Sequence, residues 1–344
     1  MRIGKLTDEQ LEDLVLSRLP KLSKNTLSGA GIGADCAWVK VGDNLMVTSS
    51  DPITAGGTKS GTLAIHVSCN DIAACGIRPS GILIVIIVPP SASEDDIKDI
   101  VVQASDEASA LGVDIVGGHT EVSDSVNSFI VISTAYGIAE KGSSVPLGHA
   151  RPGDKLILTK TAAIEGTYIV ANEHREKIEG KVKEEFIKEA LGYSELISVV
   201  KEGSLAGALR SSSGSKRDDG FFDSAVNLMH DVTEGGVFGA AFEMADFSKT
   251  GVILDKRSVP FTDCSKAICE ALGLDPFRLI SSGALMIATP EPDRVIEHLR
   301  ENGVRATVIG EFTDSGKAEY IDLDGSVKVL PPPSADEIYK VDKF

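Results

Sequence analysis

Five short segments of this 344-residue chain combine carboxylate, hydroxyl or imidazole side chains with glycine or with the expected end of a strand or helix. They are Gly29–Asp35, Thr48–Asp51, Asn70–Asp71, Gly117–Glu121 and His230–Gly236. Glycine lets a backbone approach a phosphate closely, and carboxylate oxygens are ligands that Mg²⁺ prefers. Each segment alone is more often an ordinary turn or helix cap, but magnesium on a triphosphate needs hard oxygen ligands from several loops. Together the five segments favour a protein that binds ATP with magnesium.

Two familiar nucleotide-binding motifs are missing from the sequence. Gly148–Gly153 has the glycine spacing of a P-loop, but Asp154 stands where the phosphate-binding lysine must be. Gly31-Ile32-Gly33 lacks the third glycine of a dinucleotide fingerprint. The sequence therefore predicts a nucleotide site of a different architecture.

Composition excludes several classes of partner. The formal net charge is −17, which disfavours nucleic acid and anionic membrane surfaces. The five cysteines form no Cys-x-x-Cys pair, which argues against a disulfide framework and a zinc ribbon. The longest apolar run, Ile82–Val88, is far too short to span a bilayer. We expect a cytoplasmic protein with no nucleic-acid or membrane partner.

The hydrophobic periodicity predicts two series of elements separated by a turn-rich linker at Pro146–Gly153. The first series has helices at 7–19, 60–75 and 93–112 and strands at 45–49, 81–88, 113–116 and 129–138. The second has strands at 155–159, 251–254, 284–288 and 304–309 and helices at 166–174, 181–191 and 234–245. In this prediction Asp51 ends a strand and Gly117–Glu121 directly follows one.

Adjacent pairs of strands among the helices predict an α+β fold rather than a parallel doubly wound sheet. We expect helices on one face of mixed sheets. The predicted domains are residues 1–148, which contain four of the five segments, and 149–344, a mixed α/β sandwich with helices packed on a sheet. Cys36, Cys264 and Cys269 are expected to be packed in the interior rather than nucleophilic.

The segments together resemble the superfamily of aminoimidazole ribonucleotide synthetase, over nearly the whole chain. That superfamily includes thiamine-monophosphate kinase, selenophosphate synthetase and the hydrogenase-maturation carbamoyl dehydratase. Gly31–Ala37 resembles its Gly-x-Gly-Asp-Asp-Ala segment, and Asn70–Pro79 its specific Asn-Asp-x-x-Ala-x-Gly-Ala-x-Pro segment. Ala150–Lys155 is similar to the usual start of the second domain. His230–Val237 and Ser281–Leu285 look most similar to the hydrogenase-maturation branch.

The resemblance implies both a fold and a chemistry. N-terminal domains pair in a homodimer that forms a shared β-barrel, and ATP lies near that interface with magnesium held by aspartates. The γ-phosphate is transferred to an amide-like oxygen or another acceptor.

Carried over by position, the resemblance assigns the candidate site residues. The magnesium ligands would be Asp35, Asp51 and Asp71. The nucleotide-binding residues would be Gly31, Gly33, Asn70, Gly117, Gly118 and Thr120. Asp231 and Thr233 would face the nucleotide or the substrate as catalytic residues.

Two positions depart from the family pattern. Ala34 stands where the family usually has the first of two acids, and His119 stands where it commonly has Asp or Glu. Glu121 is the candidate to replace the missing carboxylate as a metal ligand. His119 is either catalytic, as a general base or a donor to phosphate, or a hydrogen-bonded structural histidine.

The C-terminus departs as well. The dehydratase modifies its own C-terminal cysteine, but this chain ends at Phe344 and its last cysteine is Cys269, so self-modification at the tail is not expected. The leading hypothesis is an ATP-dependent enzyme of the hydrogenase-maturation-like branch, acting on a small-molecule acceptor or a partner maturation protein. The alternatives are a small-molecule kinase or synthetase, and a nucleotide-binding partner protein without turnover, which Ala34 and His119 leave open.

Overall fold

The computed structural model describes residues 6–54, 60–333 and 335–341. The chain divides into two compact units, which we call unit 1 (up to Ile72, with Pro79–Lys141) and unit 2 (Ala73–Arg78 and from Gly142 onward). The division falls before the boundary expected after residue 148. The reason is that residues 144–145 pair with 222–223 and so belong to the second unit.

Unit 1 is built on one six-stranded sheet. Its strands are β1 (Thr26–Ser28), β2 (Ala37–Val41), β3 (Asn44–Ile53), β4 (Pro79–Val88), β5 (Asp114–Val122) and β6 (Ile130–Ala139), in the order β1-β2-β3-β6-β4-β5. Its helices are α1 (Asp8–Leu14), α2 (Ser60–Ala74), whose last two residues belong to unit 2, and α3 (Glu94–Leu111). Only the β4–β5 pair is parallel. This sheet is open, with β1 and β5 at its edges.

Local sequence signals set the helix ends in unit 1. Thr7 and Ser93 each accept a hydrogen bond from the backbone of the third helical residue in a capping box. Gly112 ends α3 in the left-handed conformation, which glycine adopts without a steric cost. The helix at the N-terminus is shorter than predicted, because α1 gives way to a 3₁₀ turn over Leu16–Arg18.

Two predictions about strand ends in unit 1 were wrong. β3 continues to Ile53, so Asp51 lies inside the strand and not at its end. Gly117–Glu121 does not follow a strand but forms the second half of β5. In both places small or polar side chains were taken as a strand end, although hydrogen bonding to a neighbouring strand continues through them.

Unit 2 is built on a seven-stranded sheet. Its strands are β8 (Lys155–Thr159), β10 (Leu228–Asp231), β11 (Gly251–Asp255), β12 (Leu285–Thr289), β13 (Ala306–Thr313), β14 (Ala318–Ile321) and β15 (Val327–Val329), in the order β10-β12-β8-β13-β11-β14-β15. β7 (Ser144–Val145) and β9 (Phe222–Asp223) form a separate parallel pair. The helices are α4 (Ile164–Glu173), α5 (Arg175–Ile178), α6 (Glu184–Leu191), α7 (Val200–Ala208), α8 (Gly236–Ser248), α9 (Asp263–Leu272), α10 (Pro292–Glu301) and α11 (Ile338–Val341).

The centre of this sheet is buried on both faces, which corrects the expectation of helices on one face. Leu156 and Leu158 of β8 point into the main core with α4, α8 and α9. Ile157 points the other way and is also fully buried, and so is Ile287 beside it on β12. The continuous apolar runs of β8 and β12 are typical of strands covered on both sides.

The α+β class is confirmed by these two mixed sheets and their helices. Cys36, Cys264 and Cys269 are buried, as predicted. Among the described residues, no helix is both long and apolar enough to cross a membrane.

Candidate functional site

Two of the predicted magnesium ligands meet at one serine hydroxyl in unit 1. Ser49 Oγ lies 2.6 Å from Asp71 Oδ2 and 3.3 Å from Asp51 Oδ2. Residues two apart on a strand point to the same side, so Ser49 and Asp51 both face α2, which carries Asp71. A second contact fixes α2 on this face, because Ser68 Oγ and Ser133 Oγ lie 2.7 Å apart.

The third predicted ligand lies beside this pair. Asp35 lines an open pocket of about 380 Å³ together with Gly29, Ala30 and Ser49. The loop turns sharply, since the Ala34 amide bonds to the carbonyl of Gly31 at 3.2 Å and Gly33 has a φ of 72°. Such a φ strains any residue with a Cβ atom, so Gly33 is required by the turn itself. Gly31 needs no special backbone conformation.

The donor set suits magnesium that arrives with a nucleotide. Within the described residues, no group of three or more His, Cys, Asp or Glu side chains is arranged to hold a metal ion by itself. Mg²⁺ on a nucleotide is usually bound through one or two carboxylates, with phosphate oxygens and water completing its shell. Asp51 and Asp71 around Ser49 fit that pattern, and Asp35 is available from the neighbouring loop.

The α2 residues before Asp71 are part of the interior. Burial, with a smaller effect of the neighbouring Asp71 carboxylate, raises the pKa of the Cys69 thiol to about 12. Cys69 therefore stays protonated and is not a nucleophile. Asn70 is also buried, on the same helix, and its contact with a nucleotide stays a prediction.

His119 and Glu121 lie on the other side of the sheet from Asp51. Cross-strand neighbours point to the same side, and Asp51, Ser133, Ile84 and Gly118 form one such row across β3, β6, β4 and β5. His119 and Glu121, one and three residues further along, point away from that side. Their side chains contact each other, with His119 Nε2 3.0 Å from Glu121 Oε2, and both are exposed. A metal site shared by Glu121 and the three aspartates stays a prediction. The strand register does not favour it within one chain, because it places Glu121 and Asp51 on opposite sides of the sheet.

Strand packing alone explains why residue 118 is glycine. A Cβ atom at this position would lie 1.8 Å from the carbonyl oxygen of Ile84, so only glycine lets β5 approach β4 this closely. Gly117 lacks such a contact, since a Cβ there would meet only the end of Leu83 at 4.0 Å. Thr120 lies on the same side as Gly118 and lines a groove with Ile84 and Ile86. A role for these residues in phosphate binding remains a prediction.

In unit 2, Thr233 lies in the turn between β10 and α8, and Asp231 directly precedes that turn. Asp231 is the last residue of β10 and is buried. Helix α8 begins at Gly236 with no side-chain cap, so neither residue acts as the helix cap that was the simpler explanation. Gly235 and Gly236 both have positive φ, which places glycine-specific backbone next to these two side chains.

Two carboxyl groups in the same part of unit 2 were not singled out from the sequence. Asp336 accepts three backbone hydrogen bonds, from the amides of Gly235 (2.7 Å), Ile280 (3.2 Å) and Ile338 (2.8 Å). Glu165 lies in the first turn of α4 and accepts hydrogen bonds from the backbone and side chain of Ser282. Glu165 lies after the predicted strand 155–159, but the residues beside it give no signal of its burial. Asp336 lies in a proline-rich stretch with no local signal.

Two family models match the chain: "AIR synthase related protein, N-terminal domain" over residues 33–139 and "AIR synthase related protein, C-terminal domain" over residues 151–322. A putative hydrogenase expression/formation protein of Methanocaldococcus jannaschii is 27% identical over 98% of this chain and 97% of its own length. The carbamoyl dehydratase HypE of Rhizobium leguminosarum bv. viciae is 29% identical over 90% of this chain and 86% of its own length.

Solved structures share the fold along most of the chain. A HypE in complex with ATP has a TM-score of 0.65 at 19% identity, covering 97% of each chain. A HypE–HypF complex has a TM-score of 0.69 at 20% identity, covering 94% of this chain and 99% of the other. ThiL with AMPPCP and TMP has a TM-score of 0.71 at 18% identity, covering 96% and 99%. At these identities the similarity establishes the fold.

Proposed function

Because this chain belongs to the AIR synthase-related family, we propose that it is an ATP- and magnesium-dependent enzyme that phosphorylates an amide-like or other oxygen acceptor. The observation that carries the proposal is the meeting of Asp51 and Asp71 at the Ser49 hydroxyl, beside the pocket lined by Asp35. Relatives named carbamoyl dehydratase, and a similar fold solved with ATP, support it.

The chain's own residues have defined parts in this proposal. Asp51 and Asp71 would hold magnesium, which when bound neutralises phosphate charge and polarises the phosphoryl group. Ser49 orients the Asp71 carboxylate by its short hydrogen bond, and the turn at Gly33 lies in the neighbouring loop that carries Asp35. Phosphorylation of an amide oxygen turns a poor leaving group into phosphate, so that later loss of phosphate breaks the carbon–oxygen bond.

Isothermal titration with ATP tests the binding part. We expect magnesium-dependent binding in the unchanged protein, and at least tenfold weaker binding in Asp51→Asn and in Asp71→Asn, about 1.4 kcal/mol. Asp106→Asn, an equivalent change at an exposed position of α3, is the matched control and should bind like the unchanged protein. Unchanged ATP affinity in both site variants would refute the ligand assignment.

Product analysis separates the two enzymatic alternatives. A dehydration converts an amide and ATP into a nitrile, ADP and free phosphate, and the amide oxygen appears in the phosphate. A kinase of the kind represented by the thiamine monophosphate kinase of Aquifex aeolicus, whose fold is similar with a TM-score of 0.68, leaves the phosphoryl group on its product. An ¹⁸O-labelled acceptor amide that yields labelled free phosphate therefore supports dehydration, and label retained in a phosphorylated product supports a kinase.

A nucleotide-binding partner protein without turnover is the remaining alternative, and it rests on Ala34 and His119 replacing family acids. It predicts ATP binding with no hydrolysis and no transfer, either with small amides or with a partner maturation protein. The solved HypE–HypF complex makes a protein partner a reasonable second substrate to test. ATP turnover with either acceptor would exclude this alternative.

We also propose that the protein is a homodimer whose unit 1 sheets pair in a β-barrel. β5 is an edge strand, and all nine of its residues are exposed. Val116 and Val122 are among the most exposed apolar side chains of unit 1. A long exposed edge with apolar side chains is a site for pairing with another strand. Light scattering after size exclusion should give twice the mass of the 36.2 kDa chain. A monomeric mass at micromolar concentration would count against the barrel.

A further inference from the structure

The buried carboxyl group of Glu165 in unit 2 has one oxygen with no hydrogen-bond partner among the described residues. The residue as a whole is partly exposed, but its Oε2 atom is buried. The hydrogen bonds from Ser282 therefore reach the other oxygen. An unsatisfied buried polar atom destabilises the folded state, so a native protein that keeps one calls for an absent partner.

The surroundings determine which form of Glu165 is present. Burial raises the pKa of its carboxyl group, and the nearby charges of Asp336 and Asp231 raise it further. These causes favour the neutral acid, in which the oxygen facing Ser282 is the carbonyl and Oε2 carries the proton. Oε2 is then a hydrogen-bond donor that lacks an acceptor.

The position of this donor is fixed by the surrounding loops. Gly166, next to Glu165, donates its amide to the carbonyl of Ile280 at 2.9 Å, and Ala163 donates its amide to Ser281 Oγ at 2.6 Å. Asp336 bonds the amide of Ile280 as well as that of Gly235. The turn after β10, the loop before β12 and the start of α4 are thus joined by hydrogen bonds around one carboxyl group.

The same surroundings select the ligand. Asp231 and Asp336 are close enough to affect the titration of Glu165, and Glu234 similarly affects Asp336. An anionic oxygen, such as that of a carboxylate or phosphate, is repelled by these groups. An uncharged carbonyl oxygen accepts the Oε2 proton without that repulsion, and the N–H groups of an amide are attracted to neighbouring carboxylates.

We propose that Glu165, as a neutral carboxylic acid, donates a hydrogen bond from Oε2 to the uncharged carbonyl oxygen of an amide-type acceptor and so orients it. This inference rests on the proposed function and names the class of its acceptor. It adds Glu165 to Asp231 and Thr233 as a substrate-binding residue.

Infrared difference spectroscopy tests the proposal on the full-length protein, because the C=O stretch of a protonated carboxyl group is separate from carboxylate and amide bands. We expect such a band at pH 7 in the unchanged protein and its loss in Glu165→Gln. Acetamide should shift the band to lower frequency, whereas acetate, the anion of the same size, should not. Ser282→Ala is the second variant, and it should shift the same band to higher frequency by removing the hydroxyl donor while the backbone donor of residue 282 remains.

Three outcomes would overturn the proposal. They are no protonated band assignable to Glu165, a band that acetate shifts as strongly as acetamide, and a band that neither probe moves, which would mean a buried water only. ATP titration of the unchanged protein is read separately. Failure to bind ATP would refute the proposed function while leaving the infrared result to decide the state of Glu165.

Discussion

Asp336 is expected to hold together the turn and loop that surround Asp231 and Glu165, and replacing it should destabilise unit 2 selectively. Its side chain is 2% exposed and accepts hydrogen bonds from three backbone amides. In Asp336→Ala those amides lose their acceptor, and two of the bonds are short, at 2.7 and 2.8 Å. An orphaned buried amide costs about 1–3 kcal/mol, so two such groups give about 3 kcal/mol even after the carboxyl no longer has to be buried.

Asp336→Asn should cost less. Its single carbonyl oxygen can satisfy either the Gly235 amide or the amides of Ile280 and Ile338, but its NH₂ group then faces a donor on the other side. We expect about 1–2 kcal/mol, between the unchanged protein and the alanine variant. Both variants remove the charge. A larger loss of stability in Asp336→Ala than in Asp336→Asn therefore measures the lost hydrogen bonds and not the lost charge.

Urea unfolding measures the effect with an internal reference. The only tryptophan, Trp38, lies on β2 in unit 1, so its fluorescence follows unit 1, while far-ultraviolet circular dichroism follows both units. The dichroism transition should move to lower urea while the fluorescence transition keeps its midpoint. Asp324→Ala is the control, because Asp324 bonds a backbone amide at 2.9 Å but lies on the surface, and its cost should stay within about 0.5 kcal/mol. A loss below about 1 kcal/mol for Asp336→Ala, or equal to the control, would refute the reasoning.

Three further outcomes are expected. Gly118→Ala should destabilise unit 1 by about 2–3 kcal/mol in Trp38 fluorescence unfolding, because its Cβ atom would lie 1.8 Å from a carbonyl oxygen of β4; a loss of only a few tenths would contradict the close approach. The Lys160 ammonium lies 2.6 Å from the buried Glu202 carboxylate. Glu202→Ala removes this counterion and should cost about 3 kcal/mol in urea unfolding. The double variant with Lys160→Met should recover part of the loss. Burial raises the pKa of Asp154, so the contribution of this carboxyl group to stability is present at low pH and is lost as pH rises from about 4 through its folded-state pKa. Melting temperatures measured from pH 4 to 8 should therefore fall less steeply in Asp154→Asn than in the unchanged protein. An unchanged slope would rule out this contribution.

Helix-capping residues and a continuous apolar run were sufficient to predict the ends of the elements in which they occur. Ser93 and Gly112 predicted both ends of α3, since capping depends only on residues within one turn. The apolar run of β8 predicted its bounds, Lys155–Thr159, without error. The later elements β14 and β15 were not predicted, because their short, partly exposed segments alternate weakly.

The candidate site was predictable in its residue types but not in its partners. Asp51 and Asp71 were chosen from a family pattern, and their meeting at Ser49 depends on how α2 packs on β3, a contact 22 residues apart in sequence. Glu165 and Asp336 were missed for the same reason. What makes each of them unusual is burial and the amides of distant loops, neither of which is visible in the residues beside them.

One bulged residue on β5 determines which polar groups share a side of the unit 1 sheet. Ile82 pairs with Ile115, but Leu83 pairs with Gly117, so Val116 is the extra residue. Every residue after the bulge therefore points to the side opposite the one that regular pairing would give it. Without the bulge His119 and Glu121 would share the side of Asp51, beside α3. The bulge instead leaves that side with Gly118 and Thr120, and it places the imidazole–carboxylate pair on the opposite side of the sheet, where both side chains are exposed.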